Sequence, residues 1–221
     1  MSRTAIVICL AALAAGCHDD SESRQAYYYE EKEAVIRPVV ALVPIIDSTT
    51  SELPWSLSDE LTTLIQERLR QKDKLHLIED HRIRSITKKL SSSDNPFAND
   101  ISWIKTAFAN DEFVVFVELI EHDELPINGQ KSSFPKECSY ELNMTARIRV
   151  VDLRTEQPQI VLQELIHDTH FIPKRFSRFN FEQVSWGEDH YNISPLGIAH
   201  GALSKEIAKR VEDYILLSQS K

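Results

Sequence analysis

The chain has 221 residues, a hydrophobic fraction of 42%, a charged fraction of 27% and a formal net charge of −9 at pH 7. The apolar share is that of an ordinary globular protein, while the acidic balance argues against a nucleic-acid partner and offers no polybasic patch for anionic lipid. Five glycines in the whole chain argue against a glycine-rich phosphate loop or a series of tight hairpins.

Residues 1–16 read as a signal peptide. Arg3 supplies a basic start, and Ala5 to Ala15 form an apolar stretch of about eleven residues, too short to span a bilayer. Leu13-Ala14-Ala15-Gly16-Cys17 follows. Small residues before a cysteine resemble the bacterial lipobox, although the pattern prefers leucine where Ala14 stands. The resemblance implies lipidation of Cys17. Each buried acyl methylene contributes about 0.8 kcal/mol, so two or more chains hold firmly where one does not. The residue after the cysteine is His18 rather than the aspartate of the inner-membrane sorting rule, which favours the outer membrane, facing the periplasm. Cys9 would leave with the signal and Cys17 would be acylated. Cys138 then stands alone, no internal disulfide can form, and a packed core must carry stability.

Residues 17–37 are polar and acidic and bury too little apolar area to order themselves. They read as a flexible tether with a mean reach of roughly 25 Å, interrupted by Tyr27-Tyr28-Tyr29. Residues 38–221 are expected to form one domain.

Its elements follow in order. Val39 to Ile46 is a β-branched run that fits a strand buried on both faces, ended by Asp47 and the serines and threonines after it. A helix begins near Pro54 or Ser56, with Leu57, Leu61, Leu64, Ile65 and Leu69 on one face. Leu75 to Glu79 is a short strand. Asp80 is expected to cap a helix carrying Ile83, Ile86 and Leu90. A third helix, capped near Asp100, carries Ile101, Ile104, Ala107 and Phe108. Glu112 to Ile120 is a strand too apolar to face water, and Glu121 to Pro135 reads as a polar loop. Tyr140 to Val150 alternates as a half-buried strand with Arg147 and Arg149 on its polar side, and Ile160 to His167 returns as the antiparallel partner. After an irregular aromatic stretch, Ser194 and Pro195 open a long final helix through Leu196, Ala199, Leu203, Ile207, Val211 and Ile215. The fold class is α/β (α+β): a mixed central sheet of about five strands with helices packed on it, in the order β-α-β-α-α-β-β-β-α.

This order, with Val40-Ala41-Leu42-Val43-Pro44-Ile45-Ile46-Asp47 and then Leu77-Ile78-Glu79-Asp80 followed by Arg82, is similar to a domain shared by three protein types. These are the curli-secretion lipoprotein (CsgG), the penicillin-binding-protein activator lipoprotein (LpoB) and the N-terminal domain of TolB. Their shared motifs are a strand x-A-V-x-P-F-x-D and a strand-to-helix step with an arginine, which here comes one place late. The resemblance covers roughly residues 39–169. It implies a non-catalytic envelope protein concerned with cell-wall synthesis or envelope integrity, with a ring-forming secretion or export channel subunit as the alternative. Glu121 to Pro135 lacks the alternation of a membrane strand, which argues against the channel. The short tether argues against a partner on the far membrane.

No residue pattern points to catalysis. His167 and His170 fall on opposite faces of a strand and would not converge on a metal. Glu121-His122-Asp123-Glu124 reads as an acidic loop, Cys138 has no patterned histidine, and turn and cap duties explain Asp47 and Asp80. We therefore expect no enzyme activity, no cofactor and no metal. The stretch from Phe171 to Tyr191 is the candidate partner-binding segment, represented by Phe176, Arg178, Phe179, Phe181 and Trp186. Aromatics and arginine dominate interface energetics, and a simple connection needs fewer residues. The expected partners are membrane lipid, through acylated Cys17, and an envelope protein.

Overall fold

A computed structural model describes residues 37–91, 94–127, 139–176 and 184–220. The signal, Cys17, nearly all of the tether, Cys138, Arg178, Phe179 and Phe181 lie outside the described residues. The strands are β1 (Val39–Leu42), β2 (Ile46–Asp47), β3 (His76–Leu77), β4 (Phe113–Pro126), β5 (Tyr140–Asp152) and β6 (Gln159–Ile172). The helices are α1 (Leu57–Lys72), α2 (Asp80–Thr87), α3 (Ser102–Ala107), α4 (Asp189–Asn192) and α5 (Pro195–Gln219).

The six strands form one mixed sheet in the order β3-β1-β4-β5-β6, with β2 also paired to β4. Strands β1, β2 and β3 join in parallel, whereas β4, β5 and β6 make an antiparallel meander. The expected single strand from Val39 to Ile46 is broken in two. Pro44 has no N–H to give, so the ladder that ends with Val43 N–H on Val115 O (3.0 Å) resumes only at Ile46.

Helices cover both faces. Leu57, Leu61, Ile65 and Leu69 of α1 and Leu203, Ile207, Val211 and Ile215 of α5 pack on one face, against Val115, Val117, Ile148 and Val150 among others. On the other, Ile83 of α2 and Ile104 of α3 join Phe108 over Ala41, Val114, Phe116 and Val151. The ends of the long helices follow the sequence reading. Ser56 Oγ accepts from Asp59 N–H (3.1 Å), and Ser194 Oγ accepts from Gly197 N–H (3.0 Å) after which Pro195 opens α5. Gly197 is needed where it stands: a Cβ there would lie 2.2 Å from the Tyr191 carbonyl oxygen.

Three further expectations need correction. Asp80 is the first residue of α2 rather than its cap; Glu79 holds that place without a side-chain capping bond, and Asp80 instead accepts from Gln66 Nε2 at 3.0 Å. Glu121 to Pro126 is strand rather than loop, because the backbone of β5 from Tyr140 to Thr145 pairs with it. Arg147 and Arg149 do not lie open to solvent. Arg149 is buried and bonds the carbonyls of Pro96 (2.8 Å), Phe97 (3.2 Å) and Ala98 (2.7 Å), together with Gln163, so it pins that connection onto the sheet. Arg147 lies over the Phe97 ring, 4.1 Å from its centre. An Arg149→Met substitution leaves those carbonyls without a donor. It should cost about 2–3 kcal/mol, read as a lower urea midpoint at an unchanged slope.

Candidate functional site

The strands of the meander run well past the helices on the α2–α3 face. Cross-strand register sets residues side by side on that open face, one row after another. Glu118 faces Arg147 and Leu165; Glu121 faces Thr145 and His167; Asp123 faces Asn143 and Thr169; Leu125 faces Glu141 and Phe171. The inner rows are satisfied internally. Arg147 is ion-paired with Glu118, Thr145 donates to Glu121 Oε2 (2.6 Å) and meets His167 Nδ1 (2.9 Å), and Thr169 donates to Asn143 Oδ1 (2.9 Å). The apolar members are not covered: Leu165 is 53%, Leu125 51% and Phe171 59% exposed. The face is thus a hydrogen-bonded polar strip edged by exposed apolar side chains.

The candidate partner segment divides at this point. Phe176, in a single turn of 3-10 helix just past β6, is exposed, with the Arg175 guanidinium 4.7 Å from its ring centre. Trp186 is only partly exposed and packs on the main core, and Tyr191 is buried. The structure therefore brings Phe176 to the same end of the sheet as Phe171 and folds Trp186 and Tyr191 inward. His167 and His170 lie within β6 rather than at its end. His167 meets Thr145 while His170 meets Asp168 (3.2 Å), so they do not converge. Asp47 serves a turn, accepting from Thr49 N–H at 3.0 Å and from its hydroxyl at 2.7 Å. Among the described residues no cluster could hold a metal, and no helix is long and apolar enough to cross a membrane.

One constellation escaped the sequence reading. Glu60 of α1, fully buried, accepts from Trp55 Nε1–H (2.7 Å), Tyr191 O–H (2.5 Å) and His200 Nδ1 (2.8 Å). The other ring nitrogen of His200, Nε2, lies 2.9 Å from His122 Nε2, and one of the two donates to the other. Burial pushes the Glu60 carboxyl up, but the bonds and charge of His200 outweigh it and hold the group below its ordinary range. Burial, reinforced by neighbouring His200, lowers His122 to about 4. Burial and the Glu60 charge raise the Tyr191 phenol, keeping it a donor.

This network is closed off from solvent: Glu60 and His200 are 0% and His122 7% exposed. Its work is structural, tying α1, α4, α5 and the outer half of β4 together. It should also make the fold acid-sensitive. An unfolded His122 takes a proton near pH 6.5, the folded one near 4. Between those values the unfolded chain holds more protons, so stability is full above pH 6.5 and falls as pH drops towards 4, by about 3 kcal/mol. Glu60, with its lowered pKa, adds a loss further down. Urea unfolding between pH 7.5 and 4.5 should show this slope, and His122→Gln, which keeps a donor for His200, should flatten it.

Residues 25–219 match the model of a family of unknown function, DUF7499. The chain belongs to that family. No curated protein matches it in sequence. Among solved structures, this DUF7499 chain is similar to the hypothetical protein CT253 from Chlamydia trachomatis: 26% identity, TM-score 0.63, covering 81% of this chain and 98% of that one. Lipoprotein GNA1162 from Neisseria meningitidis is 11% identical at a TM-score of 0.40, covering 78% of this chain and 99% of that one. The C-terminal domain of LpoB from Salmonella enterica is 10% identical at 0.36, covering 59% and 82%.

Proposed function

We propose that this chain is a membrane-anchored, non-catalytic lipoprotein that binds an envelope protein as an adaptor or activator. The observation that carries the docking role is the open face of β4, β5 and β6, where Leu125, Leu165 and Phe171 stay exposed around satisfied polar rows. An exposed apolar set arranged around a satisfied polar strip marks an interaction surface more often than it marks chemistry. The non-catalytic part rests on the titratable groups: the coupled set around Glu60 is sealed inside the fold, and the polar pairs on the open face are already engaged with each other. The anchor rests on the lipobox-like approach to Cys17, and the outer-membrane, periplasm-facing placement on His18 after it.

Growth of the producing bacterium with radiolabelled palmitate tests the anchor. The wild-type protein should take up label and sediment with outer-membrane fractions, and Cys17→Ser should lose both. Label that persists in Cys17→Ser, or is absent from wild type, overturns the anchor.

A further inference from the structure

We infer that the outer edge of β6 and the facing side of α5 form a slot for an extended, basic polypeptide segment of a partner, which adds as a further strand beside β6. The inference rests on the reading of the chain as a protein-binding module and names how it binds.

Strand β6 ends the sheet of the described residues. An end strand keeps one side of its backbone donors and acceptors unpaired, and natural proteins usually blunt such an edge with lysine, proline or a short length. β6 is 14 residues long, Gln159 to Ile172, and contains no lysine, arginine, proline or glycine. Its one irregularity in register with β5 is an extra residue at Val161, near its start, and the pairing from Leu162 to Ile172 is unbroken.

Beside it runs a groove of about 490 Å³ between Glu164–Asp168 of β6 and Ala202, Glu206 and Arg210 of α5. The three helix positions are four apart and share one side of α5, and Ala202 leaves space at one end. A strand edge facing a helix across a slot of this kind is a recurrent way of taking up a peptide, with backbone bonds giving affinity and side-chain sites giving selectivity.

Charge decides the occupant. The groove holds Glu164, Asp168 and Glu206 against one cation, Arg210, whose guanidinium is already bonded to Glu206 at 2.8 Å and lies 3.7 Å from Glu164. Glu164 Oε2 is buried and has no hydrogen-bond partner among the described residues. A carboxylate with one oxygen unbonded has capacity for a further donor if its side chain turns towards the slot. Lysine or arginine on alternate positions of an added strand supplies that donor. The chain as a whole is acidic, at −9, so a second copy is the poorer electrostatic match.

The test uses the full-length protein in detergent and two ten-residue probes, one alternating lysine and valine, the other glutamate and valine. Fluorescence anisotropy measures affinity and amide hydrogen exchange maps the site. The lysine–valine probe should bind at least tenfold more tightly than the glutamate–valine probe and slow exchange at amides between Gln163 and Thr169. Asp168→Lys with Glu206→Lys should weaken it at least tenfold, as should Ala202→Trp, which fills the slot, with melting temperatures checked for each. Equal binding of both probes, protection elsewhere, or indifference to these substitutions overturns the proposal. So does protection of β6 that grows with protein concentration in the absence of probe, which would assign the edge to a second copy. Palmitate labelling and membrane fractionation are read separately, so failure here leaves the anchored-adaptor reading standing.

Discussion

One extra residue in β4 sets the arrangement of everything beyond the helices. Up to Leu119, alternate side chains of β4 face α1 and α5. At Ile120 the register with β5 shifts, Leu119 opposing Ala146 and Glu121 opposing Thr145. A bulge of this kind exchanges the faces of all that follows. Without it His122 would stand on the open face with Glu118, and Glu121 would be driven into the core. With it, His122 turns in to meet His200, and Glu121 comes out beside Thr145. The buried network and the open polar strip are therefore two consequences of a single local irregularity.

The same irregularity explains why a buried histidine pair is tolerable. A lone imidazole inside an apolar layer loses its hydration without return. Here each member has a role: Glu60 bonds His200 Nδ1, His200 Nε2 and His122 Nε2 bond each other, and Trp55 and Tyr191 satisfy the remaining lone pairs of the carboxylate. The set holds the outer half of β4 to the start of α5 and to the segment containing Trp186, at the level where the apolar packing of α2 and α3 no longer reaches. Polar bonding thus does for the projecting end of the sheet what leucine and valine do for its centre.

Much of this was legible in the sequence. Apolar spacing and serine caps placed α1 and α5, and the run from Phe113 to Leu119 could only be a buried strand. The six-stranded mixed sheet agrees with the expected class, down to the antiparallel pairing of β5 and β6. What could not be read were interactions made at long range. Glu121-His122-Asp123-Glu124 carries the composition of a loop, and only the backbone of β5 and an imidazole 78 residues away make it a strand with one buried histidine. Arg149 has the alternation of a solvent-facing residue, and only the carbonyls of Pro96 to Ala98, about 50 residues earlier in the chain, turn it into a clamp. The aromatic segment was recognised as a unit, whereas the structure sends Phe176 outward and Trp186 inward. The signal that could have separated them is slight: Tyr191, three places before the Ser194 cap, falls where a side chain packs back on the helix it precedes.

Membership of DUF7499 and likeness to the Chlamydia trachomatis protein establish kinship and fold, and the docking role we propose rests on the side chains the meander leaves uncovered. Photocrosslinking in intact cells tests that role most directly. A photoreactive amino acid would be placed in turn at Leu165, at Phe171 and at Glu67, an exposed position on α1 far along the chain from the meander. The account predicts one and the same envelope protein trapped from Leu165 and Phe171 and none from Glu67. Absence of any adduct at the two sheet positions, or the same adduct at equal yield from Glu67, would contradict it.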